Sequence, residues 1–321
     1  MKSRSSCRKI TLRALVLTVF AFVLGASMAC SSAPPEPQET VARKNLAADY
    51  LTYGQNYYQQ GNFEQAFRFF QLALEINTSV DNTPGIAVSY DSVASALMAM
   101  GRLDEARRLL AEGKEAALRS GKPQLILQNL NEEVQADISE GKLGNASAKL
   151  AQVEPFPDNQ EGAALYQALG VIQRENHLEA QALSSFQKAL SINSSLGLKQ
   201  EMASNYFMIG SVQAQKGKPE LAFSSVHEAL ELDKNTENSV GIGQDLRALG
   251  VLSERLGREA PAWDYLIRSQ RVFQAISIKS ERLKTIDLLI PLAKKLKKTQ
   301  DETFYLKMKN DLLPQGLPVN P

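Results

Sequence analysis

Apolar positions recur with a helical period along most of this chain, and the clearest stretch is Tyr50 to Ala73, YLTYGQNYYQQGNFEQAFRFFQLA. Tyr50, Tyr53, Gly54 and Tyr57 fall at i, i+3, i+4 and i+7, which predicts one face of a helix. Gly61 ends that helix, because glycine accepts the left-handed cap that residues with a β-carbon resist. Asn62 supplies an N-cap for a second helix, on which Ala66, Phe70 and Ala73 share a face. Gly54 and Ala66 are small enough to let the two backbones approach, and the aromatic rings fill the space around that contact.

The pattern is then written again. Small landmarks follow Ala66 at Ala106, Ala146, Ala182, Ala222 and Ala262, at steps of 40, 40, 36, 40 and 40 residues. Twelve residues before each landmark stand Gly54, Ala94, Val134, Gly170, Gly210 and Gly250; sixteen before stand Tyr50, Tyr90, Leu130, Tyr166, Tyr206 and Leu246. A turn glycine lies five residues before the landmark at Gly61, Gly101, Gly141, Gly217 and Gly257, with His177 in the fourth copy. Self-similarity at a fixed period predicts a solenoid, in which each unit buries its apolar face only against its neighbours. An eroded seventh pair follows, with Ile286, Leu289, Ile290 and Ala293 on its first helix and Leu306 on its second.

The third copy is the weakest. Glu133 and Asp137 stand where a leucine and an aromatic would pack, and EPFPDNQ, with Pro155 and Pro157, shortens the step and predicts a bend or joint near 154–160. Asn77-Thr78-Ser79, Asn193-Ser194-Ser195, Asn235-Thr236-Glu237-Asn238 and Gly241-Ile242-Gly243 read as connectors.

Those landmarks, together with Phe70, Leu110, Leu150, Phe186, Val226 and Leu266 four residues after each alanine, resemble the tetratricopeptide repeat family over residues 47–312. The resemblance implies an all-α, right-handed α-solenoid of about six to seven helix hairpins. The step of mostly 40 residues departs from the usual repeat of about 34.

Charge is nearly balanced, at +1. Residues 1–29 hold five basic residues and no acidic one, which leaves the remainder with 31 basic against 35 acidic residues. That is no electrostatic footprint for nucleic acid. After the basic start, the apolar run ALVLTVFAFVL at 14–24 is shorter than the roughly 20 residues of a spanning helix. Small residues and Cys30 follow, so 1–29 has the three regions of a secretory signal peptide. Cys30 resembles the acylated cysteine of bacterial lipoproteins. That resemblance implies a lipid anchor at Cys30, membrane attachment through it, and a flexible linker at 30–46. Ser31, where an inner-membrane retention signal would place Asp, implies the outer membrane of a bacterial envelope, facing the periplasm. The tail at 313–321, with three prolines, is expected to be loose.

Candidate chemistry is sparse. The cysteines are Cys7 and Cys30 alone, and the histidines are His177 and His227 alone, so neither a zinc site nor a nucleophile and base pair is indicated. No phosphate-binding glycine loop occurs. No catalytic residue, cofactor or metal is expected. What remains is surface. The family resemblance places the first helices along a concave face and points to Gln55, Tyr58, Met98, Asn131, Gln135, Gln167, Arg174, Phe207, Ser211, Arg247 and Arg255 as a groove for a protein or peptide segment. The function this predicts is a non-enzymatic, lipid-anchored scaffold for protein–protein interaction in the envelope, assembling or stabilising a larger machine. The alternative is a module for a small or lipidic ligand beside a transporter.

Overall fold

The computed structural model describes residues 37–313, and among these every regular element is an α-helix. The helices pair as hairpins in chain order: α1 (Gln38–Gln59) with α2 (Phe63–Ser79), α3 (Thr83–Ala99) with α4 (Leu103–Ser120), and α5 (Pro123–Ser139) with α6 (Leu143–Leu150). Then come α7 (Gln160–Glu175) with α8 (Glu179–Leu196), α9 (Lys199–Gln215) with α10 (Pro219–Asn235), α11 (Ser239–Arg255) with α12 (Glu259–Ala275), and α13 (Lys279–Lys295) with α14 (Thr299–Leu312). The first turn of α1 falls in a separate unit that ends at Ala42, and the hairpins form the unit from Arg43 onward. Each helix of that unit packs on the next. The first helices α3, α5, α7, α9 and α11 also touch one another in series. The architecture is a solenoid.

The small-residue ladder is the reason. Ala66, Ala106, Ala146, Ala182, Ala222 and Ala262 are all fully buried. A β-carbon added to Gly54 would lie 2.4 Å from the Phe70 ring, and one added to Gly210 would lie 2.7 Å from Val226. In the four hairpins with glycine at that position, the residue four after the landmark, Phe70, Phe186, Val226 or Leu266, occupies the room that the missing side chain leaves. Gly61, Gly101, Gly141, Gly217 and Gly257 have φ between 68° and 75°, and His177 takes the same left-handed conformation at 57°. The Asn62 side chain accepts from the Gln65 amide at 3.3 Å and caps α2.

Several expectations need correction. The linker expected at 30–46 is already helical from Gln38, so any tether is shorter. The stretch 38–46 hid this because it carries no apolar stripe, and α1 buries only Ala47 and Gly54. Cys30, the signal-like residues 1–29 and all but the first residue of the tail at 313–321 lie outside the described residues. Asn77 and Asn193, read as connector residues, sit inside α2 and α8 and are buried. Gly241-Ile242-Gly243 is helical, at the start of α11. The seventh hairpin is complete, with Ile286, Leu289, Leu292 and Ala293 buried.

The third hairpin is shortened rather than empty. Helix α6 has 8 residues, and the irregular segment after it turns Phe156 inward against Tyr166, with ring centroids 4.9 Å apart. The two acids that looked misplaced have partners. Arg107 donates to Asp137 at 2.8 Å and to Glu140 at 2.5 Å. Lys149 meets Asp137 at 2.8 Å and Glu133 at 3.7 Å. Burial pushes the Asp137 carboxyl up, but Lys149 and Arg107 outweigh it and hold it below the usual range. An ionic network stands where the other hairpins use apolar contact.

Ala182→Leu and Ala222→Leu should each destabilise the chain by roughly 1–3 kcal/mol, because three extra heavy atoms cannot fit against a facing backbone. Chemical denaturation followed by circular dichroism checks this, and an unchanged midpoint for either variant contradicts the close packing.

Candidate functional site

Successive first helices turn their inner faces toward a cavity of about 880 Å³. It gathers Gln55, Tyr58, Met98, Asn131, Gln135 and Gln167 from the expected groove set, contributed by α1, α3, α5 and α7. A second cavity of about 480 Å³ gathers Phe207, Ser211, Arg247 and Arg255, with Val251 and Leu288 as apolar lining. Between them a smaller space of about 390 Å³ shares Tyr58 with the first and Phe207 with the second. Arg174 lines neither larger cavity. Its guanidinium meets Glu175 at 2.7 Å and reaches Ser211 at 3.4 Å.

The chain itself closes one end of this space. Gln59 Nε2 donates to Gln200 Oε1 at 2.5 Å, joining the first hairpin to the fifth. A β-carbon on Gly61 would meet Ile278 at 2.6 Å and Ile276 and Val240 at 3.2 Å. The turn of the first hairpin thus rests against the sixth hairpin and the connector beyond it. Nothing in the repeat pattern predicts this contact, since it joins residues about 140 to 220 positions apart.

Part of the expected groove is committed to the scaffold. Gln167 accepts from Asn205 at 2.9 Å and donates to Ser204 at 2.8 Å. Arg247 pairs with Glu281 at 2.6 Å. Arg255 is exposed and reaches only the Ala214 carbonyl, at 3.5 Å. Conversely, the groove uses residues that the family spacing missed. Glu132 lines the large cavity and accepts from Ser95 at 2.7 Å. Gln160 and Glu161 of α7, and Gln200 and Glu201 of α9, line it through their first helical turns. Their signal was the offset itself, five or six residues before the conserved tyrosine.

The electrostatics of this region follow from burial. Asp91 is 2% exposed, and desolvation pushes its carboxyl up to about 8, against the Asn129 amide that donates to it at 2.7 Å. Glu132 is likewise raised, by desolvation first, and the Ser95 and Asn131 hydrogen bonds oppose the shift. It keeps some solvent contact, but its carboxyl lies deep among packed groups. Tyr58 is raised to about 12 by burial and by Glu132. Among the described residues no cluster of three or more histidine, cysteine or acidic side chains could hold a metal, and no helix is long and apolar enough to cross a membrane.

A family model described as Tetratricopeptide repeat matches residues 45–119, and another of the same description matches residues 203–236. No curated protein matches the chain. Among solved structures, a Rap protein complexed with Competence and Sporulation Factor is similar over 84% of this chain and 76% of its own, with TM-score 0.59 and 14% identity. Cut9 with Hcn1, from an APC/C hetero-tetramer, is similar over 84% of this chain and 53% of its own, with TM-score 0.57 and 16% identity. BtubC (BKLC) from P. vanneervenii is similar over 73% of this chain and 96% of its own, with TM-score 0.52 and 15% identity. At these identities the likeness is one of fold.

The smallest of the three cavities is lined in part by an unusual junction. Three junctions between consecutive hairpins carry buried polar pairs twelve residues apart. Asn77 donates to Ser89 at 3.1 Å, and Asn193 donates to Asn205 at 2.8 Å. The equivalent pair between α10 and α11 is Asp233 with Asp245, both 5% exposed or less. Desolvation raises both carboxyls, and its neighbour Asp233 raises Asp245 further, so the pair retains a proton, while Asn238, donating to Asp233 at 3.0 Å, opposes the shift there. The folded chain therefore holds this proton well above pH 4, where an unfolded aspartate, with a pKa of about 3.9, has lost it. Folded binds more protons than unfolded, so stability falls as pH rises from about 4 through neutrality. Asp245→Asn reproduces the amide chemistry of the other junctions. It should stabilise the chain by about 2 kcal/mol at pH 8 and by little at pH 4. Urea denaturation at the two pH values checks this, and equal effects at both contradict the shared proton.

Proposed function

This chain is a tetratricopeptide repeat protein, and we propose that its concave cavity receives a segment of a partner protein while an acyl chain on Cys30 holds it at a bacterial envelope membrane. The observation that carries the first half is the cavity itself, where side-chain amides of Gln55, Gln135 and Asn131 stand beside the apolar surfaces of Tyr58 and Met98. Amides satisfy both donors and acceptors of an extended backbone. Tyrosine and methionine offer anchors for its side chains. A bound factor in the Rap structure, and Hcn1 beside Cut9, accord with such use of the fold. The protein works without catalysis, as a scaffold that assembles or stabilises a larger envelope machine. The basic, apolar and small-residue order of 1–29, followed by Cys30, supports the anchor, and Ser31 supports the outer membrane facing the periplasm.

The cavity at Phe207, Val251 and Leu288, with Arg255 beside it, supports a second reading, a small amphiphile as ligand. Native mass spectrometry of the purified chain would reveal such a ligand as added mass.

Two measurements test the main reading. A photo-crosslinking residue at Met98 or Gln135 should trap a discrete partner in intact cells, whereas one at Lys307, on the last helix, should not. Equal trapping at all three sites rejects the groove. Cys30→Ser should move the chain from the membrane fraction to the soluble fraction, and unchanged membrane recovery rejects the lipid anchor.

A further inference from the structure

The large cavity is lined by Glu132, Glu161 and Glu201, and by no lysine, arginine or histidine. Among the described residues none of the three carboxylates takes part in a salt bridge. The only partner that holds Glu132 from another helix is the Ser95 hydroxyl, at 2.7 Å. Beside it, Asn131 Oδ1 is buried and has no donor within the chain. A buried acceptor left unpaired is costly, and native chains carry few. This wall therefore presents acceptors that the fold does not satisfy, and at Glu132 they lie among packed groups where a charge interacts more strongly than in water.

Apolar surface in the same cavity has the other half of a fit. Tyr58 and Met98 line the same cavity, and Tyr58 is steadied by the Phe63 ring at 5.2 Å. An aliphatic stem can lie along such a surface while its head group reaches the acceptors. The guanidinium of arginine carries five donors in a fixed plane and remains charged when desolvated. Lysine offers three donors at one point and loses more hydration on entry.

We propose that the partner segment received by this groove presents an arginine side chain to the acceptor wall formed by Glu132, Asn131, Glu161 and Glu201, with its stem against Tyr58 and Met98. The proposal rests on the reading of the cavity as a peptide groove and names the chemistry of the occupant. Charge complementarity selects this guest over an acidic or neutral segment, because an acidic side chain here would face three carboxyl groups without a counter-ion.

The test is selection from a displayed library of random linear nine-residue peptides on the immobilised full chain, followed by titration of the selected peptides. Enrichment of arginine at one position is expected. Replacing that arginine by glutamine in the peptide should weaken binding about tenfold or more, the usual worth of a charged hydrogen bond. Glu132→Gln should weaken the arginine peptide by a similar factor and leave the glutamine peptide within about twofold. Should Glu132→Gln fail to fold by circular dichroism, the Glu161→Gln, Glu201→Gln double variant carries the same comparison. Selected peptides without a basic residue overturn this proposal and leave the peptide groove standing. No enriched peptide at all overturns both. Displacement of the arginine peptide by spermidine at an equal concentration assigns the wall to a free polyamine and overturns the choice of a polypeptide.

Discussion

One steric requirement underlies the whole architecture: at the crossing of each hairpin, one helix must carry a side chain no larger than alanine. Where that holds, the facing helix comes close enough for the residue one turn further on, Phe70 in the first hairpin and Val226 in the fifth, to fill the space. The hairpins are then nearly identical wedges, and stacking them is the only way to bury their remaining apolar faces. The side chains of the buried alanines make no hydrogen bond and contribute little area. Their importance is that nothing bulkier could occupy their place.

The large cavity is a consequence of that stacking. First helices line up beside one another because second helices lie outside them, so residues distant in sequence meet across one space. The Gln59–Gln200 hydrogen bond and the seat of Gly61 against Ile276 and Ile278 then turn an open face into a bounded one. The cavity owes its depth to contacts between the ends of the array, whereas its chemistry is set by single residues such as Glu132 and Asn131 that the scaffold leaves free to vary.

The repeats were legible because their signal is a period, and a period survives the loss of individual residues. The cavity lining overlaps the groove expected by analogy at Tyr58, Met98 and Asn131, and not at Glu161 and Glu201, which enter from the first turns of their helices. Arg247 looked available in sequence because its neutralising acid, Glu281, comes from a different helix and was not recognisable as a neighbour. Glu133 and Asp137 looked like damage to the pattern for the same reason, since Arg107 and Lys149 come from the flanking second helices. Pairing across helices is set by three-dimensional proximity, and a linear pattern reports only which residues share a face.

The polar pairs at the hairpin junctions differ from one another: amide with hydroxyl at Asn77 and Ser89, amide with amide at Asn193 and Asn205, acid with acid at Asp233 and Asp245. Apolar contact alone would let any hairpin of such an array dock on any other, which is the standing hazard of repetitive chains during folding. A misplaced neighbour at one of these three seams would leave a buried amide or carboxyl without its partner. Each seam thus acts as a lock cut for one key, and the order of the hairpins is enforced by mismatch as much as by attraction.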